Sequence, residues 1–132
     1  ITHYFVTNAG KEPELSDSES HVAVGGLDNV DASVFAPFHY TALGHIHKPQ
    51  NIYKEGAKQN PVIYAGSPLA YSFSECTQEK SVVMIELDAE KVSRIERIAL
   101  KPLHRMRKIK GKLEDLMSPV LTEHLDREDF CK

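Results

Sequence analysis

The stretch YTALGHIHKPQ, residues 40–50, joins a strand-like run to a pair of histidines. Residues 40–43 have the composition of a β-strand, and Gly44 ends them at a point where we expect a tight turn with positive φ. His45 and His47 follow at positions i and i+2, which point to the same side of an extended segment. Both rings would then face one pocket at the carboxyl end of the strand, where open α/β sheets place their ligands. The pattern predicts a metal site, with a surface or structural histidine pair as the alternative.

Length and composition indicate one ordinary globular domain. The chain has 132 residues, of which 41% are hydrophobic and 27% charged, with a net charge of -3. This small charge neither supports nor excludes a nucleic-acid partner, because local basic patches are compatible with it. The sequence contains neither an apolar run long enough to span a membrane nor a secretory signal pattern. Cys76 and Cys131 belong to no disulfide or metal-ligand pattern, which favours the cytoplasm.

Apolar patterning and turn residues predict several further elements. They are a first strand at 1–7, a polar loop at 8–20, a short strand at 21–26, a short helix capped by Asp28 or Asp31 and stopped by Pro37, a strand at 62–65 ended by the turn Gly66-Ser67-Pro68, and two strands at 81–88 and 92–100. The last two are expected to form a hairpin at a sheet margin, because the second carries polar and apolar residues on both faces. Since the chain opens with Ile1 inside strand-like sequence, we expect it to be a fragment.

Beyond Leu100 the composition changes. Basic residues crowd positions 101–112, and a short helical pattern then places Leu113, Leu116 and Met117 on one side before Pro119. The basic run predicts either contact with phosphates or a solvated strand or linker, and the sequence leaves both open.

A third histidine belongs to the metal hypothesis. His3 lies in the first strand and would reach the same pocket as His45 and His47 if the two strands were neighbours. Imidazole suits borderline divalent ions such as Mn²⁺, Fe²⁺ and Zn²⁺. His39 and His104 lack such placement and are expected to be exposed or structural. We assign no role to two further histidines, His21 and His124.

Several motifs together resemble a known family. They are YTALGHIHKPQ, ITHYFVT with His3, SDSE at 16–19, GGLDNVDASVF at 25–35 and YAGSPLAYSFSE at 64–75. They resemble the SbcD family of nuclease subunits, within the calcineurin-like metallophosphoesterases. The resemblance covers residues 1–100 well and 101–117 weakly. It implies an α/β fold, part of a four-layer α/β/β/α sandwich whose N-terminal half is absent. Residues 1–100 would be the C-terminal half of the nuclease domain, and 101–132 the start of a capping domain that is partly disordered.

The resemblance also implies roles for individual residues. His3 and His45 would bind one divalent ion and His47 a second, with Mn²⁺ the preferred metal. Two such ions bind phosphodiester oxygens and activate water for in-line attack on phosphorus. Lys48 and Ser67 are candidate substrate contacts, with an exposed loop lysine and ordinary turn chemistry as the alternatives.

The implied partners are DNA and the SMC-like ATPase SbcC, with a homodimer of the nuclease subunit inside a heterotetramer. This assembly would act in DNA repair, recombination and replication, in the cytoplasm and associated with the nucleoid.

One departure from the family limits what this chain can do. The family's other ligands lie in DxH, GDxxD and GNHD motifs, and none of these occurs in the sequence. Because a dinuclear centre needs bridging carboxylates, we assign no catalytic residue and expect the isolated chain to be inactive. Two alternatives stay open: another calcineurin-like phosphatase or nucleotidase, and a non-catalytic assembly domain with structural histidines.

Overall fold

The computed structural model describes residues 1–19, 29–53, 56–89, 91–119, 123 and 128–132. Within these residues the chain forms short strands, two 3-10 helices and one short α-helix. In chain order they are β1 (Phe5–Thr7), β2 (Asn29–Asp31), a 3-10 helix (Ala32–Phe35), β3 (Thr41–Leu43), β4 (Gln50–Asn51), β5 (Val62–Tyr64), a second 3-10 helix (Phe73–Glu75), β6 (Ser81–Leu87), β7 (Val92–Ala99), β8 (Met106–Arg107), α1 (Leu113–Leu116) and β9 (Phe130–Cys131). This is a mixed α/β fold. The four-layer sandwich and the boundary at residue 100 stay predictions.

The central sheet consists of β3, β5 and β4, in that order. β3 runs parallel to β5 with Leu43 opposite Tyr64, whereas β4 runs antiparallel to β5. Every residue of β5 is buried, as expected for a strand with neighbours on both sides. The strands predicted at 40–43 and 62–65 are therefore confirmed.

The N-terminal segment lies beside β3. The Thr2 amide donates to the Ala42 carbonyl at 3.0 Å, and the Gly44 amide donates to the Thr2 carbonyl at 3.0 Å. Further along the same segment, β1 pairs in parallel with β2. The segment therefore connects β2 to β3. The first strand and β3 are thus neighbours, which was the condition for His3 to approach His45.

A small core lies where these strands meet. Its buried members are Val6, Ala32, Leu43, Ile46, Val62 and Tyr64. The Tyr64 hydroxyl accepts a hydrogen bond from the Val6 amide at 2.8 Å and donates one to the Tyr4 carbonyl at 2.8 Å. Burial raises the pKa of the Tyr64 phenol to about 12. The Tyr64 side chain thus links β5 to the backbone of the first strand.

The helix predicted after Asp31 is present as a 3-10 helix. Asp31 is its N-cap, and its carboxylate accepts from the Ser33 amide at 3.0 Å. Asp28, the other candidate cap, and the strand predicted at 21–26 lie outside the described residues.

The predicted hairpin is confirmed, but its predicted position is wrong. β6 and β7 pair antiparallel along their length, with a bulge between Glu86 and Leu87. Within the described part of the chain they form a separate two-stranded sheet rather than the margin of the central one. Val82 and Ile95, which lie on opposite faces of the hairpin, are 44% and 39% exposed, and neither face of β7 is uniformly apolar. Such a strand cannot bury one side against the core.

The basic segment is tied to the end of the chain. β8 pairs in parallel with β9, a strand that was not predicted from the sequence. The predicted helix is present as α1, and its residue Leu113 is 75% exposed. Among the described residues, no helix combines the length and apolar character needed to cross a membrane.

Candidate metal centre and DNA-contact residues

His3 and His45 lie side by side at the carboxyl end of β3. Their ring centroids are 5.2 Å apart and their planes meet at 75°. A β-carbon on Gly44 would lie 2.5 Å from Nδ1 of His3, so the absence of a side chain at Gly44 makes room for the ring. The prediction that Gly44 adopts a positive φ was wrong, because the positive φ, 88°, belongs to His45. The structure therefore brings together two of the three predicted ligands.

The backbone at His45 is strained. A positive φ at a non-glycine residue costs on the order of 1 kcal/mol or more, and such conformations concentrate at functional sites. Both His3 and His45 are exposed, and no hydrogen bond to either ring occurs within the described ranges. Their ring nitrogens are therefore accessible to a ligand.

His47 is held separately by a polar cluster. Ile46 between the two histidines is buried, whereas His45 is exposed and His47 is half-buried. Nδ1 of His47 lies 3.2 Å from Oε1 of Glu75 and 2.9 Å from Oγ of Ser18. The His47 amide donates to the Glu19 carboxylate. The described contacts of His47 do not include either of the other two rings.

Glu75 is the buried anion of this cluster. Its side chain is fully buried, and the ammonium of Lys80 donates to Oε2 at 2.7 Å. Burial acts to raise the pKa of Glu75, but hydrogen bonds from Lys80, Ser18 and His47 outweigh it and lower the pKa to about 2. Glu75 is therefore a carboxylate at neutral pH.

Neither Glu75 nor Lys80 was predicted from the sequence to belong to the site. The available signal was the SFSE motif, which ends at Glu75 and forms part of the family resemblance.

The two candidate substrate contacts have partners within the chain. Lys48 forms an ion pair with Glu14, and the hydrogen bond from Lys48 holds the pKa of that carboxyl below its usual range. Because the pair is exposed, phosphate can compete for Lys48. Ser67 is buried, and its hydroxyl donates to the Leu69 carbonyl at 2.7 Å and accepts from Lys80 at 2.9 Å. Contact of Lys48 and Ser67 with substrate stays a prediction.

The remaining histidines lie away from these residues or outside the described ranges. His39 is exposed. The ring of His104 packs edge-on against Phe130, with centroids 6.4 Å apart. These placements agree with exposed or structural roles. His21 and His124 lie outside the described residues.

The donors present fit a divalent metal in type but not in number. Imidazole nitrogens suit Mn²⁺, Fe²⁺ and Zn²⁺, and the exposed His3 and His45 rings offer such nitrogens side by side. In the part of the chain that the structure describes, no three histidine, cysteine, aspartate or glutamate side chains form a group that could hold a metal ion. A divalent ion bound at His3 and His45 would therefore need further ligands from outside the described residues.

Comparison with known proteins identifies relatives. No protein-family model matches the chain. It is 35% identical over 104 residues to SbcD, a subunit of the SbcCD nuclease, of Staphylococcus epidermidis, covering 79% of this chain and 26% of the relative. It is 36% identical over 106 residues to the SbcD protein of Staphylococcus saprophyticus, covering 80% of this chain and 27% of the relative. The chain thus spans about a quarter of the length of these relatives. With 35–36% identity over 79–80% of its length, the chain is an SbcD-like segment.

Proposed function

We propose that this chain is part of a metal-dependent DNA nuclease subunit, in which His3 and His45 bind one divalent ion and His47 a second. The observation that carries the proposal is the approach of the His3 and His45 rings to 5.2 Å across Gly44. Support also comes from the relatives, which are named as nuclease subunits. Residues 1–100 would then belong to the nuclease domain and 101–132 to the start of a capping domain.

The protein's part in such a site is to present neutral imidazoles in fixed positions. The carboxyl end of β3 and the adjoining first strand hold His45 and His3, while Glu75 and Ser18 hold His47. Two bound Mn²⁺ ions would supply Lewis-acid activation of the phosphodiester and of the attacking water. Lys48 would leave Glu14 and pair with a phosphate of the DNA backbone. Ser67 would contact the DNA backbone from the turn after β5.

The carboxylates of the centre would come from elsewhere in the full-length protein. The sequence contains no DxH, GDxxD or GNHD motif, and histidines alone do not supply the negative charge that two divalent ions require. We therefore propose that the 132 residues alone do not hydrolyse DNA. DNA hydrolysis by the purified chain in Mn²⁺ would contradict this.

The proposed setting is a complex with the ATPase SbcC. The names of the relatives place them in an SbcCD nuclease, and we propose the same partner here. We further propose a homodimer of the nuclease subunit within a heterotetramer, acting on DNA in repair, recombination and replication, in association with the nucleoid.

The deciding experiment is His45→Asn in the full-length protein, with His39→Asn as the matched control on an exposed histidine. Metal content after Mn²⁺ loading and hydrolysis of duplex and single-stranded DNA are measured together. We expect His45→Asn to lose metal and to lose more activity than the roughly 10–100-fold that removal of a residue supporting a metal ligand costs, while His39→Asn keeps both. Full metal content and activity in His45→Asn would refute the proposal.

The same preparation separates the alternatives. A phosphatase or nucleotidase would hydrolyse small phosphomonoesters in preference to DNA. An assembly domain would contain no bound metal even in the wild type.

A further inference from the structure

A buried ion pair lies directly behind His47. Glu75 is fully buried and Lys80 is 6% exposed. Besides Glu75, the Lys80 ammonium donates to the His47 carbonyl at 3.2 Å and to Oγ of Ser67 at 2.9 Å. Burying two charges is costly, and replacing such pairs with apolar residues is often neutral or stabilising. Stabilisation of the fold alone is therefore a poor explanation for this ion pair. Its contact with the His47 ring indicates a role in holding that ring.

The hydrogen bonds determine which nitrogen of His47 carries the proton. Glu75, paired with Lys80, is a carboxylate and can only accept. Ser18 has one hydroxyl proton, and it is donated to Oε1 of Glu75. Both groups near Nδ1 of His47 therefore present lone pairs to it, at 3.2 Å from Glu75 and 2.9 Å from Ser18. The neutral ring must carry its proton on Nδ1, which leaves the lone pair on Nε2.

We propose that Glu75, held in place by Lys80, is a positioning residue that fixes the His47 ring with Nδ1 protonated and Nε2 free to bind a divalent cation. This inference rests on the proposed function, because it assigns a purpose to Nε2. Metal-binding histidines commonly donate their second N–H to a carboxylate, which orients the ring and raises its basicity. Glu75 occupies that place relative to His47.

Lys80 contributes in two ways. Its charge keeps Glu75 ionised in a buried location, where an unpaired carboxyl would favour the neutral, hydrogen-donating form. Its bond to the His47 carbonyl ties the loop that carries the ring to the same ion pair. The ion pair thus holds both parts of His47, the ring through Glu75 and the backbone carbonyl through Lys80.

Glu75→Gln is a sharp test because the cluster dictates how the amide must sit. Oε2 of Glu75 receives hydrogen bonds from Lys80 at 2.7 Å and from the Tyr71 amide at 3.3 Å, and both are donors only. The glutamine oxygen must occupy that position, which turns its NH₂ group toward Nδ1 of His47 and Oγ of Ser18. The amide then donates to Nδ1, and the proton of the neutral ring moves to Nε2.

The experiment uses the full-length protein with ¹⁵N-labelled histidine rings, at one fixed pH where His47 is neutral, and a His47→Asn variant to assign the signal. Long-range ¹H–¹⁵N spectra report the tautomer, and calorimetry with Mn²⁺ reports affinity. The matched control is Asp129→Asn, which removes another carboxylate, 2% exposed, from its ion pair with Arg107. We expect His47 to be protonated at Nδ1 in the wild type and in Asp129→Asn, and at Nε2 in Glu75→Gln. Mn²⁺ affinity should fall about 10–100-fold in Glu75→Gln only.

Two outcomes would overturn the assignment. One is a wild-type His47 with its proton on Nε2, a measurement that needs no variant and stands even if Glu75→Gln does not fold. The other is a Glu75→Gln protein with unchanged tautomer and unchanged Mn²⁺ affinity. If the wild type bound no Mn²⁺ but showed the expected tautomers, the proposed function would fail while the positioning of His47 by Glu75 was upheld.

Discussion

Nδ1 of His3 lies 2.5 Å from the point that a β-carbon on Gly44 would occupy. Gly44→Ala must therefore displace the His3 ring, which is the end of a side chain and can rotate away. We expect a change of less than about 1 kcal/mol in the free energy of unfolding, because the displaced His3 ring is exposed. Mn²⁺ affinity of the full-length protein should nevertheless fall at least about 10-fold, because a ligand is misplaced. Urea unfolding and calorimetry measure the two effects.

The control for this variant is Gly111→Ala, where the nearest atom to an added β-carbon is Cδ2 of Leu116 at 3.5 Å, an ordinary contact. It should leave Mn²⁺ affinity unchanged. Equal affinity in the wild type and Gly44→Ala would show that the His3 position beside Gly44 has no part in metal binding.

Local sequence signals predicted the central elements because each was decided by neighbouring residues. The β-branched and aromatic residues of β3 and β5, and the cap at Asp31, required no knowledge of distant parts of the chain. The approach of His3 to His45 could also be predicted, since sequential strands are often neighbours.

Features decided by distant partners were not predicted. The positive φ lies at His45 rather than at Gly44, and the space beside Gly44 holds the ring of His3, which is remote from it in the sequence. Likewise, β9 exists through its pairing with β8 and has too few residues to show a pattern. Glu75 could not be recognised as a partner of His47 because 28 positions separate them.

Gly66 should be far less tolerant than Gly44. Its φ is 85°, and an added β-carbon would lie 2.9 Å from the His47 carbonyl oxygen and 2.7 Å from Cγ of Pro49. The left-handed conformation costs an alanine roughly 1–2 kcal/mol, and the backbone oxygen cannot rotate away. We expect Gly66→Ala to lower the free energy of unfolding by about 2–4 kcal/mol. Urea unfolding is the measurement, and a loss no larger than that of Gly44→Ala would contradict this account.

Tyr64→Phe removes the hydroxyl that bonds the Val6 amide and the Tyr4 carbonyl. Because a buried amide loses its partner, we expect a destabilisation of about 1–3 kcal/mol in urea unfolding. Tyr71→Phe is the control, since Tyr71 is 58% exposed and its hydroxyl makes no hydrogen bond in the described part of the chain. A loss of the same size in both variants would mean that the Tyr64 hydroxyl has no special role.

The same hydroxyl predicts a dependence on alkaline pH. Burial raises the pKa of Tyr64 from 10.0 to about 12, so the folded state holds this proton more tightly than the unfolded chain. Its stabilisation is complete below pH 10 and is lost as the pH rises through about 12. The stability difference between wild type and Tyr64→Phe should therefore narrow from about pH 10 to about pH 12, in unfolding curves measured at each pH. A constant difference would argue against a raised pKa.

Lys48 allows a test of DNA contact that is separate from stability. Its ion pair with Glu14 is exposed, the lysine side chain at 38% and the glutamate at 72%, so its loss should change the free energy of unfolding by less than about 1 kcal/mol. If Lys48 contacts a phosphate, Lys48→Ala in the full-length protein should weaken DNA binding and reduce the slope of log K against log salt by about one. Glu14→Gln removes the charged partner of Lys48 and should strengthen DNA binding slightly. Lys91→Ala, at the exposed turn of the β6–β7 hairpin, serves as the control. An unchanged slope in Lys48→Ala would remove this residue from the DNA surface and leave Lys48 as the partner of Glu14 alone.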